Sequence, residues 1–198
     1  MKPADLRSRW KEPAFLAEVS ERITQLLTTR ELQGPFDLRG IVVGAEGAIP
    51  ELLATNLYRT KLSQIDLTHS HIEGSMSEAT FDHVNFNESK LMHVLAAKSI
   101  FRSCSFENAK LRLQANDASF ESCNLRRVQC TGTASLQEWG ARRAKFANCD
   151  LSGAIFRRVE FRASSFENCS FSGAVFEHCD LRGTKFLGES PRLEECVV

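Results

Sequence analysis

Three sets of side chains in this sequence have the types and spacing to do chemistry. The first is histidine. His69, His71, His83 and His93 lie close together in the chain, and imidazole is a common zinc ligand when several rings converge on one point. Convergence depends on where each ring points, and a five-residue repeat sets that. His69 and His71 flank Ser70, an inward position, so both face out. His83 and His93 follow Phe81 and Leu91 by two residues, which puts them at outward corners on different faces. The second set is cysteine, seven in all. Cys104, Cys123, Cys149, Cys169 and Cys179 take a small inward position, Cys130 stands where a large residue is expected, and Cys196 lies in the tail. No Cys-x-x-Cys occurs, so these thiols read as small hydrophobes rather than ligands. Cys149 and Cys169 stack in adjacent turns of the chain, where a disulfide is geometrically conceivable; a reducing cytosol favours free thiols. The third set is arginine. Arg142, Arg162 and Arg182 recur every twenty residues, with Arg143 beside the first, and Arg126 and Arg127 precede them. Guanidinium groups held in a column suit an anion, which they grip through paired N–H donors. These six arginines are the candidate binding residues. No phosphate-binding loop, nucleophile elbow or His-Glu-x-x-His motif is present. The reading is of a protein that is not an enzyme and needs no metal or cofactor.

The elements that position these groups follow from the spacing of apolar residues. Phe146, Leu151, Phe156, Phe161, Phe166, Phe171, Phe176, Leu181 and Phe186 recur every fifth residue. Two residues before each is a small one, from Ala144 and Cys149 through to Thr184. A helix wants a period near 3.6 and a strand wants 2, so five suits neither. It suits a chain that bends after each short extended segment. The large residue and the small one two before it then share one side, as i and i−2 do on a strand. If each unit turns by about a right angle, four units make a square coil. Coils would stack at the interstrand spacing of ~4.8 Å.

This pattern, [Ala/Cys/Ser/Thr/Val]-polar-[Leu/Phe]-x-x over about three quarters of the chain, resembles the pentapeptide-repeat family. The resemblance implies an all-β fold, a right-handed quadrilateral β-helix. It also implies candidate activities. Some members resemble duplex DNA in shape and charge, bind type II topoisomerases (DNA gyrase) and protect against gyrase-directed drugs.

Three segments are expected. Residues 1–34 form a loosely ordered lead-in over 1–11 and then a helix over 13–32. That helix starts at Pro13, carries Phe15, Leu16, Val19, Ile23, Leu26 and Leu27 on one stripe, and is stopped by Gly34-Pro35. It reads as the cap of the solenoid's open end, with a partner-binding helix as the alternative. Residues 35–187 form the β-helix, beginning near Phe36. A loop bulges at 45–50, and the register resumes at Leu52 and Leu57. One residue is lost near Gly74-Ser75 and another around Gln114–Ala118. Residues 131–141 restore it, with Trp139 at a bulge. Residues 188–198 leave the repeat at Pro191 and cover the last coil or form a homodimer contact; the chain is otherwise expected to be a monomer. Seven to eight coils make a rod of roughly 35 Å.

Outward residues twenty apart stack on one face, once the deletions are allowed for. Arg102 and Glu121 then continue the Arg142–Arg162–Arg182 column; Glu107, Arg126, Ala147 and Glu167 form another; Arg157 pairs with Glu177 and Arg158 with His178. Lysine plus arginine and aspartate plus glutamate number 25 each, so the formal net charge is zero. That argues against a direct nucleic-acid binder, and against a DNA mimic, which needs a sustained negative column. Charge divides along the rod. Residues 35–90 carry four basic and eight acidic side chains and residues 91–150 nine and five, balances of −4 and +4. With no apolar run long enough to cross a membrane and no signal-peptide core at Met1–Arg7, the expected location is the cytoplasm. The function read from these features is a non-catalytic module presenting a rigid rod to a protein partner. The alternatives are a gyrase-binding DNA mimic and an anion contact through the arginine ladder.

Overall fold

The computed structural model describes residues 2–132 and 140–198. Residues 3–11 are helical, not loosely ordered. Helix α1 spans Pro3–Ser8, and a single 3-10 turn follows at Arg9–Lys11. They are ordered because they bury apolar surface: Leu6 and Trp10 are both buried, and the Trp10 indole N–H donates to the Arg39 carbonyl at 3.0 Å. Helix α2 spans Pro13–Thr29. Its buried Val19, Ile23 and Leu26 share one core with Leu32, Leu38 and Val43 of the first coil.

The helix ends before Gly34-Pro35. Arg30 takes a left-handed conformation, and its N–H closes on the Leu26 carbonyl at 3.1 Å. Gly34-Pro35 instead sits inside strand β1 (Glu31–Asp37), at a break in register between Gln33 and Phe36, with a cis peptide. The coil therefore begins at Leu32, and Phe36 is only half-buried.

Four faces follow in chain order. The first is an eight-stranded parallel sheet of β1, β3 (Lys61–Asp66), β5 (Thr80–Asp82), β7 (Ile100–Arg102), β9 (Ser119–Glu121), β11 (Lys145–Ala147), β13 (Ser165–Glu167) and β15 (Lys185–Leu187). The third is a second parallel sheet of β2 (Val42–Val43), β4 (His71–Ser75), β6 (Lys90–Leu95), β8 (Lys110–Gln114), β10 (Gln129–Thr131), β12 (Ile155–Arg157), β14 (Val175–Glu177) and β16 (Arg192–Glu194). Columns of single parallel bridges make the other two. Asp66, Asn85, Ser105, Asn124, Asp150 and Ser170 mark the second face, and Gln114, Gly140, Glu160, Asp180 and Val197 the fourth. The result is the square β-coil.

The corners explain how a five-residue unit turns. Two residues after most of the inward central side chains the backbone goes left-handed, as at His83, His93, Asn108, Arg143 and Asn168. The inside is filled in columns. Phe81, Phe101, Phe120, Phe146, Phe166 and Phe186 stack along the first face with centroids 4.6–5.1 Å apart. That spacing matches the interstrand rise, so each ring from Phe101 to Phe166 is in contact with a ring above and below. The first-face column takes seven steps from Leu32 to Phe186, a rod of about 34 Å. Small inward residues fill the corners and donate to carbonyls of the preceding coil: the Ser99 hydroxyl to Met76 at 2.6 Å, the Cys104 thiol to Phe81 at 3.4 Å.

Departures from five-residue spacing are resolved as follows. The excursion after Val43 bulges as expected but also contains a short helix α3 (Pro50–Leu53), so Leu52 packs from that helix and the coil resumes at Leu57. The first deletion falls in β4, at the register break between Ile72 and Gly74. The second lies in β8, where Arg112 and Leu113 oppose Met92 and Val94, slightly before its expected place. After Cys130 the pattern differs from expectation. Cys130 lies on the third face and Ala141 on the fourth, so the segment between them adds residues instead of restoring one. Trp139 lies outside the described residues.

The tail does not leave the coil. Pro191 is buried between β15 and β16, β16 pairs with β14, and the Leu181 N–H donates to the Val197 carbonyl at 2.6 Å. The tail supplies the third and fourth faces of the final coil and leaves Leu187, Leu193, Val197 and Val198 exposed at its end.

Candidate interaction surface

The outer faces carry what chemistry the chain has. The six candidate arginines do not share one surface. Arg142, Arg162 and Arg182 follow Ala141, Phe161 and Leu181 on the fourth face, with Arg143 at the next corner. Arg126 and Arg127 follow Leu125, on the second face and its corner, across the coil.

Every one of the six has a carboxylate partner. Arg162 Nε lies 3.0 Å from one oxygen of Glu160, and Arg142 Nε 3.7 Å from the other. Arg182 meets Asp180 at 2.6 Å. Arg143 grips Asp117 with two hydrogen bonds of 2.7 Å. Arg126 reaches Asp150 at 3.3 Å, and Arg127 pairs with Glu107 and with the Asn108 amide oxygen. The arginine column does not alternate within itself, because its countercharge stands in a parallel column two residues earlier in the chain. Glu160 and Asp180 there are nearly buried, at 7% and 6% exposure. The Arg182 hydrogen bond holds the Asp180 carboxyl below the usual carboxylate range against the opposing effect of burial. Arg143 does the same for Asp117. Gly140 heads this column, and only glycine fits, since a Cβ there would meet the Glu160 carbonyl oxygen at 2.5 Å.

Two expected ladders are redistributed by the residues added after Cys130. Arg102 and Glu121 lie on the first face, not in the Arg142 column, and stack with Ala147 and Glu167. Arg126 stacks toward Ser152 on the second face, its corner neighbour Arg127 donating to the Ser152 carbonyl. Arg157 and Glu177 do pair on the third face, at 2.6 Å. Arg158 and His178 occupy equivalent corners of those two coils.

The four histidines sit on separate corners and strands. His69 lies 3.6 Å from Glu88, His71 3.1 Å from Glu73 and His83 3.2 Å from Asp82, while His93 Nε2 is 3.4 Å from Arg112. Among the described residues, no group of three or more His, Cys, Asp or Glu side chains is placed to hold a metal ion. All seven cysteines are free thiols. Burial pushes Cys130 up to about 12. No described helix is long and apolar enough to cross a membrane.

The residues that sequence reasoning passed over are Lys90, Lys110 and Arg112 on the third face. None has a carboxylate within 4.0 Å among the described residues, unlike the six arginines. A signal was present: Lys90 and Lys110 are twenty apart and immediately precede the inward Leu91 and Leu111.

The family model for the pentapeptide repeat region matches residues 141–192. No curated protein matches the chain in sequence. Among solved structures, full-length QnrB1, a plasmid-mediated fluoroquinolone resistance protein, is 12% identical, with 84% of this chain and 92% of that one covered at a TM-score of 0.39. HetL, a pentapeptide repeat protein involved in heterocyst differentiation regulation from the cyanobacterium Nostoc, is 17% identical over 84% of this chain and 86% of its own, with a TM-score of 0.26. Rfr23, a pentapeptide repeat protein of the cyanobacterium Cyanothece, is 14% identical over 90% of this chain and 98% of its own, with a TM-score of 0.24.

Proposed function

We propose that this pentapeptide-repeat coil is a non-catalytic interaction module that offers a rigid, flat-sided rod to a protein partner. The observation that carries the reading is the pairing of the outer charges along the flat faces of the coil. Nucleophiles, acids and bases are spread over separate faces and corners, whereas small-molecule chemistry needs them gathered in a concavity. A stiff face with fixed side-chain spacing suits another macromolecule, because little freedom is lost on binding.

A topoisomerase-binding DNA mimic is the neighbouring reading, and charge favours it less. Such a mimic needs an unbroken run of acid to imitate phosphates. The fourth face instead sets Arg142, Arg162 and Arg182 beside Glu160 and Asp180, and the first face sets Arg102 against Glu121. Under the reading preferred here, supercoiling by purified DNA gyrase is unchanged at micromolar concentrations of the protein; inhibition would promote the mimic. The direct test is affinity capture followed by calorimetric titration with the purified candidate. A stoichiometric protein complex supports the module. Capture of nucleic acid alone would overturn it.

A further inference from the structure

Resting on that reading, we infer that the third face between β6 and β8 is the docking surface, and that it takes an acidic, extended segment of a protein partner. Lys90 and Lys110 stand in direct register on adjacent parallel strands. Like charges facing each other across a ladder destabilise a sheet unless something neutralises them. Many of the rod's other outward cations have a neutralising group supplied within the fold. Arg142 and Arg162 share Glu160, Arg157 has Glu177, and Arg59 has Glu78 at 2.8 Å. At Lys90 and Lys110 the described residues supply none. Arg112, in register with Met92, adds a third cation, and its Nε is buried without a hydrogen-bond partner.

These groups border a shallow cleft of ≈ 190 Å³ lined by Met92, Lys110, Leu111, Arg112, Gln129 and Thr131. The cleft opens where the β8–β10 ladder thins. β8 pairs with β6 at five positions but with β10 only at Lys110 and Leu111. Its floor is apolar at Met92 and Leu111, and its rim is cationic.

The extent of the charge selects the partner. Toward the N-terminus the cationic run stops at His71 and Glu73, which pair with each other at 3.1 Å. In the other direction it passes to neutral Gln129 and Thr131, and then to Arg157, already neutralised by Glu177. A nucleic-acid duplex laid along the rod would run beyond the cations and meet Glu73 and Glu177, and duplex binding depends on neutralising many phosphates at once. Two or three carboxylates on alternate residues of an extended peptide fit the available span. Such side chains are about 6.6 Å apart, within reach of lysines on strands ~4.8 Å apart with long flexible stems. Apolar residues between them would meet Met92.

The test uses the full chain and a fluorescein-labelled octapeptide of alternating glutamate and valine, read by fluorescence anisotropy at low salt. A short random-sequence DNA duplex is the competing probe. The Lys90→Glu/Lys110→Glu variant is expected to bind the peptide about tenfold more weakly or worse. Lys145→Glu/Lys185→Glu on the first face makes the same change in net charge and should shift affinity by less than about twofold. If circular dichroism shows the reversal variant misfolded, Lys90→Gln/Lys110→Gln replaces it, with the same ordering expected. Equal losses in both variants would overturn the inference, as would no peptide binding by the wild type. Tighter binding of the duplex, lost on the same reversal, would make this a nucleic-acid surface. A wild-type dimer in sedimentation velocity that the reversal dissolves would make a second copy the occupant. If the reversal variant still captures the wild-type chain's protein partner, the surface assignment fails while the interaction-module reading stands.

Discussion

Phe120 and Phe146 stack with centroids 4.7 Å apart and ring planes 4° apart, although 26 positions separate them where Phe146 and Phe166 are separated by 20. The column's other contacts run from 4.6 to 5.1 Å, so the six additional residues leave the ring stack undisturbed. They lie between Cys130 on the third face and Ala141 on the fourth. The coil's register is therefore carried by the inward columns and not by the length of the connection. Deleting residues 133–138 should restore a five-residue step and leave a folded coil, with far-UV circular dichroism unchanged and Tm lowered by no more than a few degrees. Deleting only three of those residues should be tolerated equally, since loop length costs little. Deleting nine, 132–140, removes the step itself and should unfold the C-terminal coils. A cooperative transition at the wild-type Tm for the nine-residue deletion would show that the ring stack does not set the register.

The five-residue period made the square cross-section, the inward columns and the thiol positions legible, because each depends only on which residues point in. The period could not show what happens where it lapses. Residues added after Cys130 shifted every later count, which displaced Arg102 from the Arg142 column and separated Arg126 from Ala147. The order of the N-terminal segment is not carried by the period, because Leu6 and Trp10 form no periodic stripe; they bury themselves against Arg39 and Gly40, whose backbone approaches from far along the chain. The charge pairing lies outside the twenty-residue ladders but close by in sequence: Glu160 and Asp180 stand two residues before Arg162 and Arg182 and neutralise them.

Arg9 clamps the N-terminal cap to the first coil. Its guanidinium donates to both oxygens of Asp37, at 3.0 and 2.7 Å, and also to the Arg39 carbonyl at 2.8 Å. Burial would raise the Asp37 pKa, but the hydrogen bonds from Arg9 and Arg39 outweigh it and hold the carboxyl well below its usual range. A depressed folded-state pKa means the contribution is present above the unfolded value near ~3.9 and is lost as pH falls from there through the folded value. Asp37→Asn should cost about 1 kcal/mol at neutral pH, the worth of a charge-assisted bond discounted for the half-exposed carboxylate. The variant and the wild type should converge in stability as pH falls below ~4. Urea melts at neutral and acid pH test this; a constant difference across the range would remove Asp37 from the clamp.

The thiols make a second check on the inward columns. Six of the seven cysteines are buried, and Cys196 is partly exposed. Hydrogen bonding along the Cys104–Cys123–Cys149 column pushes Cys123 and Cys149 up to about 12, and burial does the same for Cys130 and Cys179. The thiolate is the reactive form, so these groups should be inert in the native coil. Ellman's reagent at neutral pH should titrate one thiol quickly and the rest only after denaturation. Rapid reaction of two or more in the folded protein would contradict the burial of the columns.

Phe161 and Arg162 are adjacent in sequence and opposite in orientation. Phe161 is 1% exposed and contacts the rings of Phe156, Phe166 and Phe176 at 5.3–5.6 Å. Phe161→Ala removes that burial and leaves a cavity in a stack that cannot collapse without bending the coil, for a loss of ~3–5 kcal/mol. Arg162→Ala removes only the 3.0 Å contact to Glu160. Arg142 remains near the same carboxylate at 3.7 Å, so Glu160 keeps a countercharge. The loss should be about 1 kcal/mol, above the fraction expected for an unpaired surface arginine because Glu160 is nearly buried. Chemical denaturation of the two variants should therefore separate their midpoints clearly, with Phe161→Ala far lower. Midpoints lowered equally would mean that the alternation of inward and outward residues, from which the whole square coil follows, has been assigned to the wrong positions.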